Sequence, residues 1–158
     1  MASTIPSQVV VFGASGDLTA RKLIPALASL AAKGKPEGGF SFLGVSRRPK
    51  TDESFRAELR EQLPADLQPG FDRMAPNVHY FAGDVDQPAD MKRLAERLGS
   101  LPGGDAAGRL FYLSLRPELF AATVEHLAHA GLLGRHDEGA WRRVIVEKPF
   151  GKDLASAR

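Results

Sequence analysis

Apolar positions along the chain follow two rhythms. Five short runs rich in β-branched and aromatic residues, 8–12 (QVVVF), 40–46 (FSFLGVS), 78–82 (VHYFA), 110–115 (LFYLSL) and 143–147 (RVIVE), read as strands. Their near-continuous apolarity predicts burial on both faces. Between them apolar residues recur every three or four positions, as on one face of a helix: Leu23, Leu27, Leu30 and Ala31; Phe55, Leu59 and Leu63; Met91, Leu94 and Leu98; Phe120, Val124, Leu127 and Ala128. Thr51 followed by Asp52 and Glu53 predicts a helix start, and Gly34, Gly99 and Gly131 predict helix ends. Five strands alternating with four helices give an α/β fold, a doubly wound parallel sheet with right-handed crossovers and helices on both faces. Pro25 inside the first helix predicts a bend after its opening turns. The stretch 64–77 carries mixed turn signals, is longer than most connections, and predicts a short extra helix. No period repeats and no linker divides the chain, so residues 1–158 read as one domain.

Composition narrows the classes open to such a domain. Of 158 residues 43% are apolar and 25% charged, enough for one core and too apolar for a disordered chain. The sequence has no cysteine, which excludes a disulfide framework, a thiolate metal site and a cysteine nucleophile. It also fits a reducing compartment, and the cytoplasm is the expected location. A net charge of +2 without a basic tail gives no support to a nucleic-acid partner. No apolar run approaches the roughly 20 residues that span a bilayer, and the first residues lack a leader pattern, so no membrane partner is expected.

The first strand runs straight into Gly13, Ala14, Ser15, Gly16, Asp17 and Leu18. A glycine turn that opens a helix lets backbone approach a diphosphate, whose charge then faces unpaired N–H groups. The two glycines are spaced G-x-x-G, and Thr19 stands where a third would fall, so an ordinary strand-to-helix turn remains the alternative. Its place after the first strand of an alternating pattern favours a dinucleotide. The second strand ends in Ser46, Arg47 and Arg48, with no carboxylate until Asp52. An acid there would accept from the ribose 2′-hydroxyl of NAD, whereas guanidiniums suit a 2′-phosphate, so the expected cofactor is NADP. A solvated basic turn is the other reading. The third strand ends at Gly83, Asp84 and Val85, where a side chain and an N–H can meet an adenine ring or where Asp84 simply starts a turn. The fourth ends at Ser114, Leu115, Arg116 and Pro117, at the edge where the nicotinamide half would lie.

Glu147-Lys148-Pro149-Phe150-Gly151 closes the fifth strand. With the glycine turn followed by Lys22-Leu23, and Tyr112-Leu113-Ser114-Leu115 followed by Pro117, it resembles the glucose-6-phosphate dehydrogenase family, in the family's order and over nearly the whole chain. The resemblance implies a Rossmann-like NADP-binding domain and oxidation of the C1 hydroxyl of glucose 6-phosphate, a phosphosugar, to the lactone. It places Lys148 between cofactor and sugar phosphate, Lys22 in the same site and Arg47 on the 2′-phosphate, with a cis Lys148–Pro149 bond. Arg116 departs from the small residue or proline frequent there, which crowds or recharges the nicotinamide pocket, and Thr19 replaces a frequent alanine. In the family the histidine base and a substrate and dimerisation domain follow. The chain is therefore expected to be truncated before the domain's last strand, to lack the base and to leave an open sheet edge that invites a homo-oligomer. His79, His126, His129 and His136 read as structural or solvent-facing, since nothing places them at the crevice. Two alternatives stay open: a non-catalytic NADP(H)-binding or interaction module, and a fragment of a Gfo/Idh/MocA-type sugar oxidoreductase. The Tyr-x-x-x-Lys pair of short-chain dehydrogenases is missing, since Asp84 follows Tyr80 and Arg116 follows Tyr112 at that spacing.

Overall fold

The five apolar runs form five parallel strands, β1 (Ser7–Phe12), β2 (Phe40–Ser46), β3 (Val78–Ala82), β4 (Gly108–Leu113) and β5 (Arg142–Val146), in one sheet of order β3-β2-β1-β4-β5. The computed structural model describes residues 6–134, 140–148 and 153–157. Around the sheet lie α1 (Ile24–Ala32), α2 (Asp52–Gln62), α3 (Gln68–Met74), α4 (Pro88–Ser100) and α5 (Phe120–His129), with a last turn, α6 (Leu154–Ala157). This is the doubly wound order. β4 begins and ends two residues before the run that predicts it, so Ser114 and Leu115 lie beyond the strand, at the sheet's carboxyl end.

Successive strand residues point to opposite faces, and the core divides accordingly. Val11 and Phe42 face Ile24, Ala28, Phe55 and Phe71 of α1, α2 and α3. Val10, Phe12, Leu43 and Phe111 face Leu94, Leu98 and Leu127 of α4 and α5. The extra helix expected in 64–77 is α3, which packs so close to α1 that a Cβ on Gly70 would lie 2.2 Å from the carbonyl oxygen of Ala28.

Two expectations need correction, and a third feature, Pro25, is met in a particular way. β5 is not buried on both faces: Val144 and Ile145 are 36% and 38% exposed. An apolar run records what its residues prefer, and at the sheet edge no helix of the described residues covers this one. Gly99 does not end α4 but sits within its last turn, and the extended Leu101 beside Pro102 ends the helix instead. Pro25 is accommodated by a π-helical turn, Thr19–Leu23, in which Ile24 N–H donates to Thr19 O five residues back. The widened turn gives the proline ring room that a regular α-helix would deny it.

Gly34 and Gly131 do close α1 and α5, both with positive φ. Thr51 caps α2 as expected: its hydroxyl accepts from Ser54 N–H at 3.1 Å, and Ser54 Oγ accepts from Thr51 N–H at 3.0 Å. Asp52, the next residue, ties α2 to two other elements. It accepts from Tyr80 N–H at 2.8 Å and from Arg97 at 3.1 Å, and lies 2.9 Å from His79 Nδ1. Burial works against its charge, but the bonds to His79 and Tyr80 and the charges of His79 and Arg97 outweigh it and hold its pKa below the ordinary value.

A carboxylate with a lowered folded pKa stabilises the fold above its unfolded value and loses that contribution as pH falls through the folded one. Asp52→Asn should therefore lower the melting temperature near neutral pH, and the difference from wild type should shrink below about pH 4. Melting curves across that range measure it; a difference independent of pH would overturn this account of Asp52.

Candidate functional site

One backbone contact shapes the turn after β1. Gly13 has φ of +79°, and a Cβ on it would lie 2.0 Å from the carbonyl oxygen of Ser114. Only glycine satisfies both the conformation and the approach. Gly13 and Ala14 N–H both donate to Val45 O, at 3.0 and 3.1 Å, and Gly16 N–H donates to Gly13 O at 3.0 Å. The turn is thus stitched to β2 and pressed against the end of β4, where strand order reverses around β1 and open α/β sheets hold their ligands.

Two hollows open there. The larger, about 360 Å³, brings together Gly13 and Ser15 of the turn, Ser46, Arg47 and Arg48 after β2, Asp84 and Val85 after β3, and Leu115 and Arg116 after β4. The guanidiniums of Arg47, Arg48 and Arg116 have no partner among the described residues. Two carboxylates share the wall: Asp84 accepts from Asp86 N–H at 3.0 Å, and Asp86 lies 3.9 Å from His126 Nδ1. The smaller hollow, about 200 Å³, is lined by Leu18, Ser114, Leu115, Glu147 and Lys148, among others. Tyr112 O–H donates to the Glu147 carboxylate. Burial first, then Glu147, push the Tyr112 hydroxyl up to about 12, so it stays protonated and holds the residue beside Lys148.

Not every expected residue reaches a hollow. Ala14 is buried and Gly16 and Asp17 are exposed on the turn. Lys22 is exposed on the π-helical turn and lines neither hollow. Thr19 is fully buried, with its hydroxyl unpartnered. His79 is bound to Asp52, while His126 and His129 line a separate hollow between α4 and α5. The Lys148–Pro149 bond, Phe150, Gly151 and His136 lie outside the described residues. Sequence reasoning does not pick out Phe12, Asp86 and Leu119 on the larger hollow's wall, nor Tyr80 beneath the arginine loop. A tyrosine two residues before the end of β3 is the signal that marks the last of these.

These residues suit a dinucleotide: a glycine-only backbone approach for a diphosphate, and free cations where the second strand ends. The family model described as glucose-6-phosphate dehydrogenase, NAD binding domain, matches residues 10–158. The chain belongs to the glucose-6-phosphate dehydrogenase family. It is 38% identical to a glucose-6-phosphate 1-dehydrogenase of Chlamydia pneumoniae over 97% of its own length and 32% of the relative's. With that of Aggregatibacter actinomycetemcomitans it shares 39% identity over 94% of its length and 31% of the relative's. Among solved structures, the glucose-6-phosphate 1-dehydrogenase of Mycobacterium avium superposes with a TM-score of 0.79 at 34% identity, over 97% of this chain and 32% of that one. A glucose-6-phosphate dehydrogenase in complex with its substrate glucose 6-phosphate superposes equally well, TM-score 0.79 at 31% identity, over 99% and 34%. The chain thus spans about a third of the length of the glucose-6-phosphate dehydrogenases it matches.

Gly13→Ala should destabilise the chain by at least about 2 kcal/mol and abolish dinucleotide binding. Gly16→Ala, whose Cβ would meet nothing closer than Gly13 O at 3.2 Å, should cost less than about 1 kcal/mol. Denaturant titration of both variants checks the contrast, and equal losses would contradict it.

Proposed function

We propose that this chain is the NADP-binding part of an enzyme that oxidises glucose 6-phosphate to 6-phosphogluconolactone, feeding pentose phosphate metabolism in the cytoplasm. The arginine loop carries the reading. Arg47 and Arg48 stand unpaired at the end of β2, where an NAD-selective site would offer a carboxylate. The first carboxylate after them, Asp52, is committed to His79, Tyr80 and Arg97. Two forked guanidiniums beside a ribose answer a 2′-phosphate, each charge-assisted bond contributing about 1.5–3 kcal/mol.

When bound, NADP supplies the hydride acceptor. The chain's own residues then have separate tasks. The glycine turn receives the diphosphate with backbone N–H groups at the helix entry. Lys148, beside Ser114 and Leu115 on the smaller hollow, donates to the sugar's oxygens and adds positive charge where two anionic ligands meet. Lys22, which the family resemblance places in the same site, lines neither hollow and is assigned none of these tasks. Among the described residues no histidine lines either hollow, so the proton acceptor is assigned to sequence that the longer relatives carry. The edge of β5, with Val144 and Ile145 exposed, is where a further strand or a second copy would pair.

Calorimetry should detect NADP binding at millimolar ligand, with NAD bound more weakly, and Arg47→Ala should erase most of the preference, on the order of tenfold. An unchanged preference would refute the 2′-phosphate assignment. With glucose 6-phosphate and NADP together, the chain alone should produce no NADPH; measurable turnover would overturn the division of labour proposed here.

A further inference from the structure

The arginine loop is held from below by a single hydroxyl. Tyr80 O–H donates to Arg48 O at 2.7 Å, and Ser46 Oγ lies 2.7 Å from the same phenolic oxygen. A phenol carries one hydrogen, already committed to Arg48, so the serine hydroxyl is the donor in the second contact. Ser46 Oγ in turn accepts from Arg48 N–H at 3.2 Å. Three bonds close a ring around Tyr80, Ser46 and Arg48. Both ends of the tripeptide Ser46-Arg47-Arg48 are thereby fixed, and Arg47 between them is left to face the larger hollow.

Tyr80 is itself anchored in the core. It is 6% exposed, its N–H donates to Asp52 at 2.8 Å, and its ring packs on Phe55 with centroids 4.8 Å apart. The hydroxyl therefore reaches the loop from a fixed point in the core.

We propose that Tyr80 is a positioning residue for cofactor selectivity. Acting with Ser46, it holds the backbone of the arginine loop so that the Arg47 guanidinium is preorganised for a 2′-phosphate. An unconstrained loop would have to be ordered on binding, and that entropy would be subtracted from the affinity for the phosphate alone. The proposal rests on the NADP reading above. It predicts a selective effect, because NAD makes no use of the ordered guanidinium.

The test is a double-mutant cycle read by calorimetry with NADP and NAD on the full chain. Tyr80→Phe keeps the packed ring and removes the hydroxyl. It should weaken NADP binding about fivefold while changing NAD binding less than about twofold. In an Arg47→Ala background the same substitution should have no further effect on NADP. If Tyr80→Phe lowers the melting temperature, binding of both dinucleotides is compared at a temperature where both proteins are fully folded, so that a loss confined to NADP still carries the test. Equal losses for both dinucleotides, or losses that add in the double variant, overturn the positioning role while leaving the 2′-phosphate reading intact. An Arg47→Ala variant that binds NADP as wild type does overturns both.

Discussion

The approach of the Gly13 backbone to the Ser114 carbonyl governs the whole carboxyl end of the sheet. A Cβ at Gly13 would sit 2.0 Å from that oxygen, so any other residue would drive the turn after β1 away from the end of β4. The two hollows meet at this boundary: Gly13 and Leu115 wall the larger, Ser114 and Leu115 the smaller. The turn is also bonded to Val45 O, one residue before the arginine loop begins. One glycine thus sets the distance between the region that would hold the adenine half of a dinucleotide and the region that holds Lys148.

The arginine loop depends on packing one layer deeper. Gly44 lies in the centre of β2, where a Cβ would come within 2.7 Å of the Phe55 ring and 2.9 Å of Ala14. The missing side chain lets α2 settle onto the sheet, and Phe55 then meets the ring of Tyr80. Asp52, at the start of the same helix, binds the Tyr80 backbone. Core burial at α2 is in this way converted into the position of a phenolic hydroxyl, and through it into the position of two exposed cations. The placement of these surface cations is a consequence of how a helix seats on a strand.

Periodicity makes most of this fold legible. β2 and β3 coincide with their apolar runs, α2 starts at the cap that Thr51 announces, and α3 lies in the stretch too long to be a plain connection. The glycine turn and the arginine pair are equally readable, because their chemistry is local: adjacent residues, one turn, one strand end. What periodicity misses is set by neighbours distant in sequence. The exposure of β5 depends on what covers an edge, and Val144 and Ile145 are identical in character to strand residues that are fully buried. The role of Tyr80 depends on a serine 34 positions earlier across a parallel pair, which no local pattern encodes.

The two ends of the sheet treat positive charge in opposite ways, and the contrast separates structure from function. At the amino end Arg109 is 2% exposed, and its guanidinium donates through Nε to Gln8 Oε1 at 2.8 Å and through one terminal nitrogen to Gly104 O and Asp105 Oδ1, both at 3.0 Å. Arg142, its register partner on β5, donates to Ala107 O, Trp141 O and Asp105 O. Burial first, then the neighbouring charge of Arg109, lower the Arg142 pKa, so these bonds hold two cations the site would otherwise push apart, and they fix the loop before β4. At the carboxyl end Arg47, Arg48 and Arg116 are exposed and unanswered around one hollow. Exposed cations owe little to the fold and contribute little to it. Their convergence beside a glycine turn is therefore not accounted for by stability, and an anionic ligand is the interaction that accounts for it.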